Sequence, residues 1–185
     1  MSVIPIPERL LANPVHMGYP VPWIALRGAD GTPDFRVIDE ERRARAMKER
    51  LCQLCGGPMG KTLFFVGGPG CITHMAFFEP PVHLDCLIYA MQVCPFILGK
   101  LDHVEPDKVQ ARHEGHVTVC LDPTIDPHRC ETWVIVKCGS FTLLRTPASI
   151  QMRPQDIRMV QHSLRPNEMT PEQWQEVRQQ LFHAP

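Results

Sequence analysis

Two short Cys/His pairs carry most of the chemistry available to this chain. Cys52 and Cys55 form a CxxC, and His83 and Cys86 form an HxxC. Thiolates two residues apart can close round one metal ion when the backbone between them turns tightly. Gly56 and Gly57 follow at once and permit the positive φ angles such a knuckle uses. One CxxC supplies two ligands, and a tetrahedral site takes two more. His83 and Cys86 supply them from a helix start that Pro80 and Pro81 announce, where a spacing of three puts both side chains on one face. Unpaired N–H groups in that first turn also favour negatively charged thiolates. Four protein ligands leave no position for a zinc-bound water, so one Zn2+ with a structural and not a catalytic role is expected. A second pairing competes: Cys71 and His74 form a CxxH that would give a ribbon-like site with ligands from two hairpin turns.

Other chemistry-bearing groups are weaker. Leu101-Asp102-His103-Val104-Glu105-Pro106 is similar to the DHxxP segment of HNH nucleases, whose His is a general base. Here it follows the zinc helix instead of lying between the ligand pairs, and no matching Asn and second His stand downstream. His113, His116, His128 and Cys130 match no usual metal template and read as a loop. Gly67-Gly68-Pro69-Gly70 lacks the GK[ST] ending of a phosphate loop and reads as a turn. Cys71 beside it reads as a buried thiol with no oriented base. Trp23 and Phe35 sit on adjacent expected strands, where they form either an aromatic platform or ordinary core.

The elements that must hold the metal pairs follow from pattern. Pro22–Arg27 and Phe35–Ile38 read as a hairpin joined by a turn rich in glycine. Asp39 fits a helix N-cap, with Glu40 and Glu41 in the first turn of a helix running to about Arg50. Its basic residues are nearly cancelled by its acidic ones. Lys61–Val66 reads as a strand, with Cys71–Phe78 returning as a second. A helix from near Pro81 carries Leu84, Leu87, Ile88 and Met91 on one face and stops at Pro95. Knuckle, β-hairpin, then a helix giving the last ligands is the layout of a treble clef. Further on, 117–121, 132–136 and 141–144 read as strands, and Pro154 opens an expected helix to about His162. Thr170-Pro171-Glu172-Gln173 matches a capping box for a final helix with Trp174, Val177 and Leu181 on one face.

The chain has 185 residues, of which 44% are hydrophobic and 21% charged, so a core can form without disulfides. Its net charge of -1 supplies no long-range field toward nucleic acid or an acidic membrane. No signal peptide and no membrane span is read, which points to a cytoplasmic protein whose eight cysteines stay reduced.

Several stretches together resemble a family of uncharacterised small CxxC proteins from actinobacteria, other bacteria and their phages. They are Gly18–Trp23, Pro33–Asp39, Cys52–Gly60, Glu79–Cys86 and Cys94–Phe96. The likeness covers about residues 15–98 and is much looser beyond 115. It implies His83 and Cys86 as ligands in preference to His74, and a phage or prophage setting in the host cytoplasm. It implies no established activity.

The expected fold is α+β. A zinc-stabilised treble-clef-like domain spans 1–98 and begins with the hairpin and helix. A connector spans 99–116, and a small antiparallel β segment with C-terminal helices spans 117–185. The expected function is a non-enzymatic, zinc-stabilised interaction protein that modulates a host or phage protein. A nucleic-acid-binding treble-clef module and an HNH-like metal-dependent nuclease are the alternatives.

Overall fold

The computed structural model describes residues 4–100, 130–146 and 149–184. It shows a mixed α and β chain with antiparallel sheets and four α-helices among the described residues. The expected strand at 117–121, most of the connector at 99–116, Cys120, and the His103, His113, His116 and His128 readings lie outside them.

Three strands form the centre: β5 (Leu63–Gly67), β6 (Trp133–Arg145) and β7 (Ile150–Leu164), numbered after four short N-terminal strands. They pair antiparallel in the order β5-β6-β7. Side chains alternate between the two faces of a strand. Phe64, Trp133 and Ile135 therefore enter one cluster, and Leu63, Phe65, Val136 and Cys138 the other. Both faces of β5 and of the first half of β6 are covered, which is why those stretches read as continuous apolar runs. The first face packs against helix α3 (Leu84–Val93) and helix α4 (Pro171–His183). The second packs against Met47 of helix α1 (Glu40–Glu49), against Phe77, and against Ile72 of helix α2 (Pro69–His74).

The N-terminal part forms two small ribbons. One pairs β1 (Val15–His16) with β2 (Tyr19–Pro20), and the other pairs β3 (Ala25–Arg27) with β4 (Pro33–Ile38). The second is the hairpin expected from sequence. Asp39 caps α1 as expected, its side chain accepting from the Arg42 N–H at 3.1 Å. Thr170 and Gln173 cap α4 reciprocally, and Trp174, Val177 and Leu181 are all buried.

Three expectations are corrected. Residues Cys71–Phe78 do not return as a strand. Pro69 sits in the first turn of α2, Gly68 is its extended N-cap, and Met75 ends it in the left-handed region at φ 45°. The outer side of β5 instead meets a single bridge, Phe64 to Val82. Pro154–His162 is not a helix. The proline lies in β7 opposite Phe141, and the tertiary demand of β6 for a partner outweighs a local helix-start signal. β7 is an edge strand of the sheet, where a missing N–H is tolerated. The expected strands at 132–136 and 141–144 are one continuous strand, β6.

Lys137 shows how the C-terminus is anchored. Its side chain is buried in mid-sheet, and Nζ donates to the carbonyls of Leu181, Phe182 and Ala184. A cation thereby caps the C-terminal end of α4.

Candidate metal centre

The knuckle is built before the cysteines arrive. α1 ends at Arg50 in the left-handed region, and a bridge from Leu51 to Pro58 closes the loop that follows. Inside it the Gly56 N–H donates to the Cys52 carbonyl at 2.8 Å, and the Cys52 N–H to the Gly57 carbonyl at 2.8 Å. Gly56 adopts φ +71°, as the sequence anticipated, while Gly57 does not need a positive φ. A second reason for glycine at 56 was not legible. A Cβ there would stand 2.6 Å from Cδ1 of Trp23, whose ring lies against the knuckle. The guanidinium groups of Arg42 and Arg45 lie 5.8 and 5.6 Å from that ring's centroid. Trp23 therefore serves the knuckle, while Phe35 is exposed beside the His16 ring at 6.0 Å.

The second pair arrives on α3. His83 is the N-cap residue and Cys86 lies in the first turn. The ligand atoms of Cys52, Cys55, His83 and Cys86 all lie within 4.8 Å of one another and could hold one metal ion. It is the one such Cys/His/Asp/Glu cluster among the described residues. Cys71 and His74 sit on α2 and take no part; the Cys71 sulfur packs by Gly67 and Phe77 in the second core cluster.

The donor set fits a tetrahedral ion. Ligands about 2.0–2.3 Å from zinc stand roughly 3.5 Å apart across a tetrahedron edge, and Cys55 Sγ lies 3.3 Å from His83 Nδ1. The other ring nitrogen, Nε2, lies 3.1 Å from the Pro58 carbonyl. That bond assigns Nε2 the proton and frees Nδ1 as the donor atom, the orienting arrangement usual for a ligating histidine. Cys52 and Cys86 are fully buried, whereas Cys55 and His83 are half-buried at the rim.

The electrostatics of Cys55, His83 and Cys86 are tied together. Hydrogen bonding from Cys52, and then from Cys86, holds the Cys55 thiol far below its ordinary range. The Gly57 N–H also points at its sulfur at 3.4 Å. Cys86 moves the opposite way, driven up by its contacts with Cys52 and Cys55 and by burial. His83 is pushed up to about 10, first by Cys52 and then by Cys55. A proton on His83 thus answers the same thiolate charge that a metal cation would answer better.

Three supports went unseen in the sequence. Gln53, between the two cysteines, is buried; its N–H donates to the Pro81 carbonyl and its Nε2 to the Pro80 carbonyl at 2.8 Å. It ties the knuckle to the turn that delivers His83. Asn13 donates from Nδ2 to the carbonyls of Val21 and Leu54, both at 2.8 Å. Asp85, between the two α3 ligands, accepts from Arg178 of α4 at 2.8 Å. The only signal for Gln53 was a polar residue placed between the two cysteines of the CxxC. Asn13 and Arg178 act over distances that no local pattern encodes.

Comparison with family models, with curated proteins and with solved structures gives no match to this chain. No helix among the described residues is long and apolar enough to cross a membrane.

Proposed function

We propose that the chain is a non-enzymatic interaction protein whose N-terminal half is shaped by one structural zinc ion on Cys52, Cys55, His83 and Cys86. The observation that carries this reading is the convergence of three sulfurs and one imidazole nitrogen within 4.8 Å. Three thiolates and an imidazole suit zinc among the common divalent metals, and four protein donors close its coordination sphere. A closed site has no position for substrate or activated water, so its work is to hold two segments together.

We read the arrangement as a treble-clef variant. The knuckle and the ligand-bearing helix keep their places, while α2 stands where the return strand of the hairpin would run. The resemblance to small phage and bacterial CxxC proteins supports a partner that is itself a host or phage protein, met in the host cytoplasm.

Elemental analysis and native mass measurement of freshly purified protein should give one zinc per chain. Cys86→Ser should lose it, together with several kcal/mol of stability, because a vacated ligand position undoes most of the binding free energy. Metal-free protein whose melting temperature is untouched by Cys86→Ser would overturn the reading.

A further inference from the structure

Pro80 and Pro81 lack an N–H, so the backbone strap that delivers His83 can be gripped there only at its carbonyls. Both prolines are buried, and a buried carbonyl needs a donor. Gln53 supplies both. Its N–H donates to the Pro81 carbonyl at 3.3 Å and its Nε2 to the Pro80 carbonyl at 2.8 Å. Glu79 Oε2 accepts from the same Nε2 at 3.3 Å, so both hydrogens of the amide are used. The Gln53 carbonyl in turn accepts from the Ile24 N–H at 3.0 Å. The strap has other anchors of a different kind. Val82 exchanges backbone bonds with Phe64 of β5 at 2.8 and 3.3 Å, and Arg43 Nε of α1 donates to the Phe78 carbonyl at 3.0 Å. Those fix the strap to the sheet and to α1. The Gln53 bonds run instead from the strap to the knuckle, between the ligands Cys52 and Cys55.

We propose that Gln53 is the positioning residue of the metal centre: by gripping Pro80 and Pro81 it sets the distance between the two ligand pairs, and with it the affinity and lifetime of the bound ion. The proposal deepens the zinc reading given above and rests on it. The lever is short, because Pro81 stands two residues before His83 and five before Cys86. Metal–ligand distances hold to within about 0.2 Å, so a strap that slides by roughly that much carries His83 Nδ1 and the Cys86 sulfur out of range. Loss of the Nε2 bond to Pro80 frees such a slide, since the carbonyl left behind is buried and must seek another donor. The position also selects for glutamine. An ionised Glu cannot donate, Asn ends one methylene short, and Met fills the volume without a donor.

Competition of the full chain against a chromophoric zinc chelator, read both at equilibrium and as a release rate, tests this. Gln53→Met should lower zinc affinity about 10–100-fold, the range for losing an outer partner of a ligand set, and should speed release of the ion. The visible absorption of cobalt-substituted protein, whose intensity reports tetrahedral coordination, should weaken. The gap in melting temperature between loaded and stripped protein should narrow; a bond that serves the fold alone would lower both forms alike and leave the gap. Gln53→Asn keeps an amide and should fall between wild type and Gln53→Met, standing below wild type even if the Met variant does not fold. Gln92→Met removes a side-chain bond of similar length, to the Ile88 carbonyl at 2.9 Å at the far end of α3, and should leave affinity intact. Unchanged affinity in the Gln53 variants, or an equal fall in Gln92→Met, overturns the proposal. A tight zinc site indifferent to Gln53 would sink this inference alone, whereas wild-type protein that takes up no zinc would sink the reading beneath it.

Discussion

The knuckle with its helix and the three-stranded sheet solve one problem by different physics. In the sheet, Leu63, Phe65, Ile135, Val136, Cys138 and Met152 are fully buried, and cohesion comes from apolar area removed from water on both faces. Around the candidate metal centre directional contacts stand out: glycine turns, backbone bonds within the loop, Gln53 bridging to Pro80 and Pro81, and four side chains that could hold one metal ion. The sheet spreads its stability over many replaceable contacts. The metal centre concentrates its own in a few that cannot be exchanged. Segments 51–58 and 80–86 are short; Cys52, Val82 and Cys86 share the sheet's first apolar cluster, and the directional contacts fix their mutual position within it.

Stripping the metal should therefore give the largest effect, and an uneven one. A structural zinc contributes on the order of 10 kcal/mol in small zinc units. Hydrogen exchange after chelation should rise over 52–58 and 80–86, with β6 and β7 still protected; uniform loss of protection would break the comparison. The pH dependence should also flatten. Metal-loaded protein loses stability on acidification, as protons compete for thiolates and imidazole. In stripped protein, His83 is raised from its ordinary 6.5 to about 10. Its stabilising effect is then complete below 6.5 and disappears as pH rises through 10. Cys55, lowered from its ordinary 9.0, works the other way: its share is complete above 9.0 and is lost as pH falls. The two offset between 6.5 and 9.0, so thermal melts of stripped protein should vary less with pH there than those of the loaded form. Next in size, Phe65→Ala should cost about 3–5 kcal/mol by opening a cavity between Leu63, Phe77 and Phe141. Zinc stoichiometry should not change, and loss of the ion would show that the two regions are one.

The contrast also explains what was legible beforehand. The candidate ligands were readable because metal chemistry demands particular residues at particular spacings; Pro80-Pro81 announced the helix too early, since it begins at Leu84 with His83 as its extended N-cap. Asp39 and the Thr170 capping box were readable for the same reason: a local group satisfies a local need. The sheet was only half readable. Thr132–Val136 announces a strand, but nothing near Pro154 reveals that 150–164 is claimed by β6. Gly67–Gly70 reads as a turn, whereas the structure starts a short helix there, with Pro69 in its first turn and Cys71 and Ile72 partly buried against the second cluster. Long-range pairing, and the single side chains that serve it, such as Lys137 under the end of α4, are settled by the assembled fold.

A smaller effect tests the knuckle itself. Gly56→Ala forces a Cβ into the Trp23 ring at a φ of +71°, which should cost about 1–3 kcal/mol and weaken metal affinity. Gly60→Ala, four residues on, meets nothing within 4 Å and should be near neutral. Equal effects at the two positions would mean that the Trp23 contact does not set the knuckle.

Helix α4 decides where the boundary between the regions falls. Its buried face of Trp174, Val177 and Leu181 belongs to the sheet's first cluster, yet Arg178 reaches Asp85 between the ligands His83 and Cys86. That pair is about half exposed on both sides. Exposed ion pairs contribute at most about 1 kcal/mol, and salt screens them further. Arg178→Ala should therefore lower stability by no more than about 1 kcal/mol, with the deficit vanishing at high salt and metal affinity unchanged. Competition against a chromophoric chelator would measure that affinity directly. If the substitution loosens the metal, α4 orients the ligand-bearing turn through Asp85 and belongs to the directional region. If it does not, α4 is attached by burial alone, through the apolar cluster it shares with Cys52, Cys86 and the sheet.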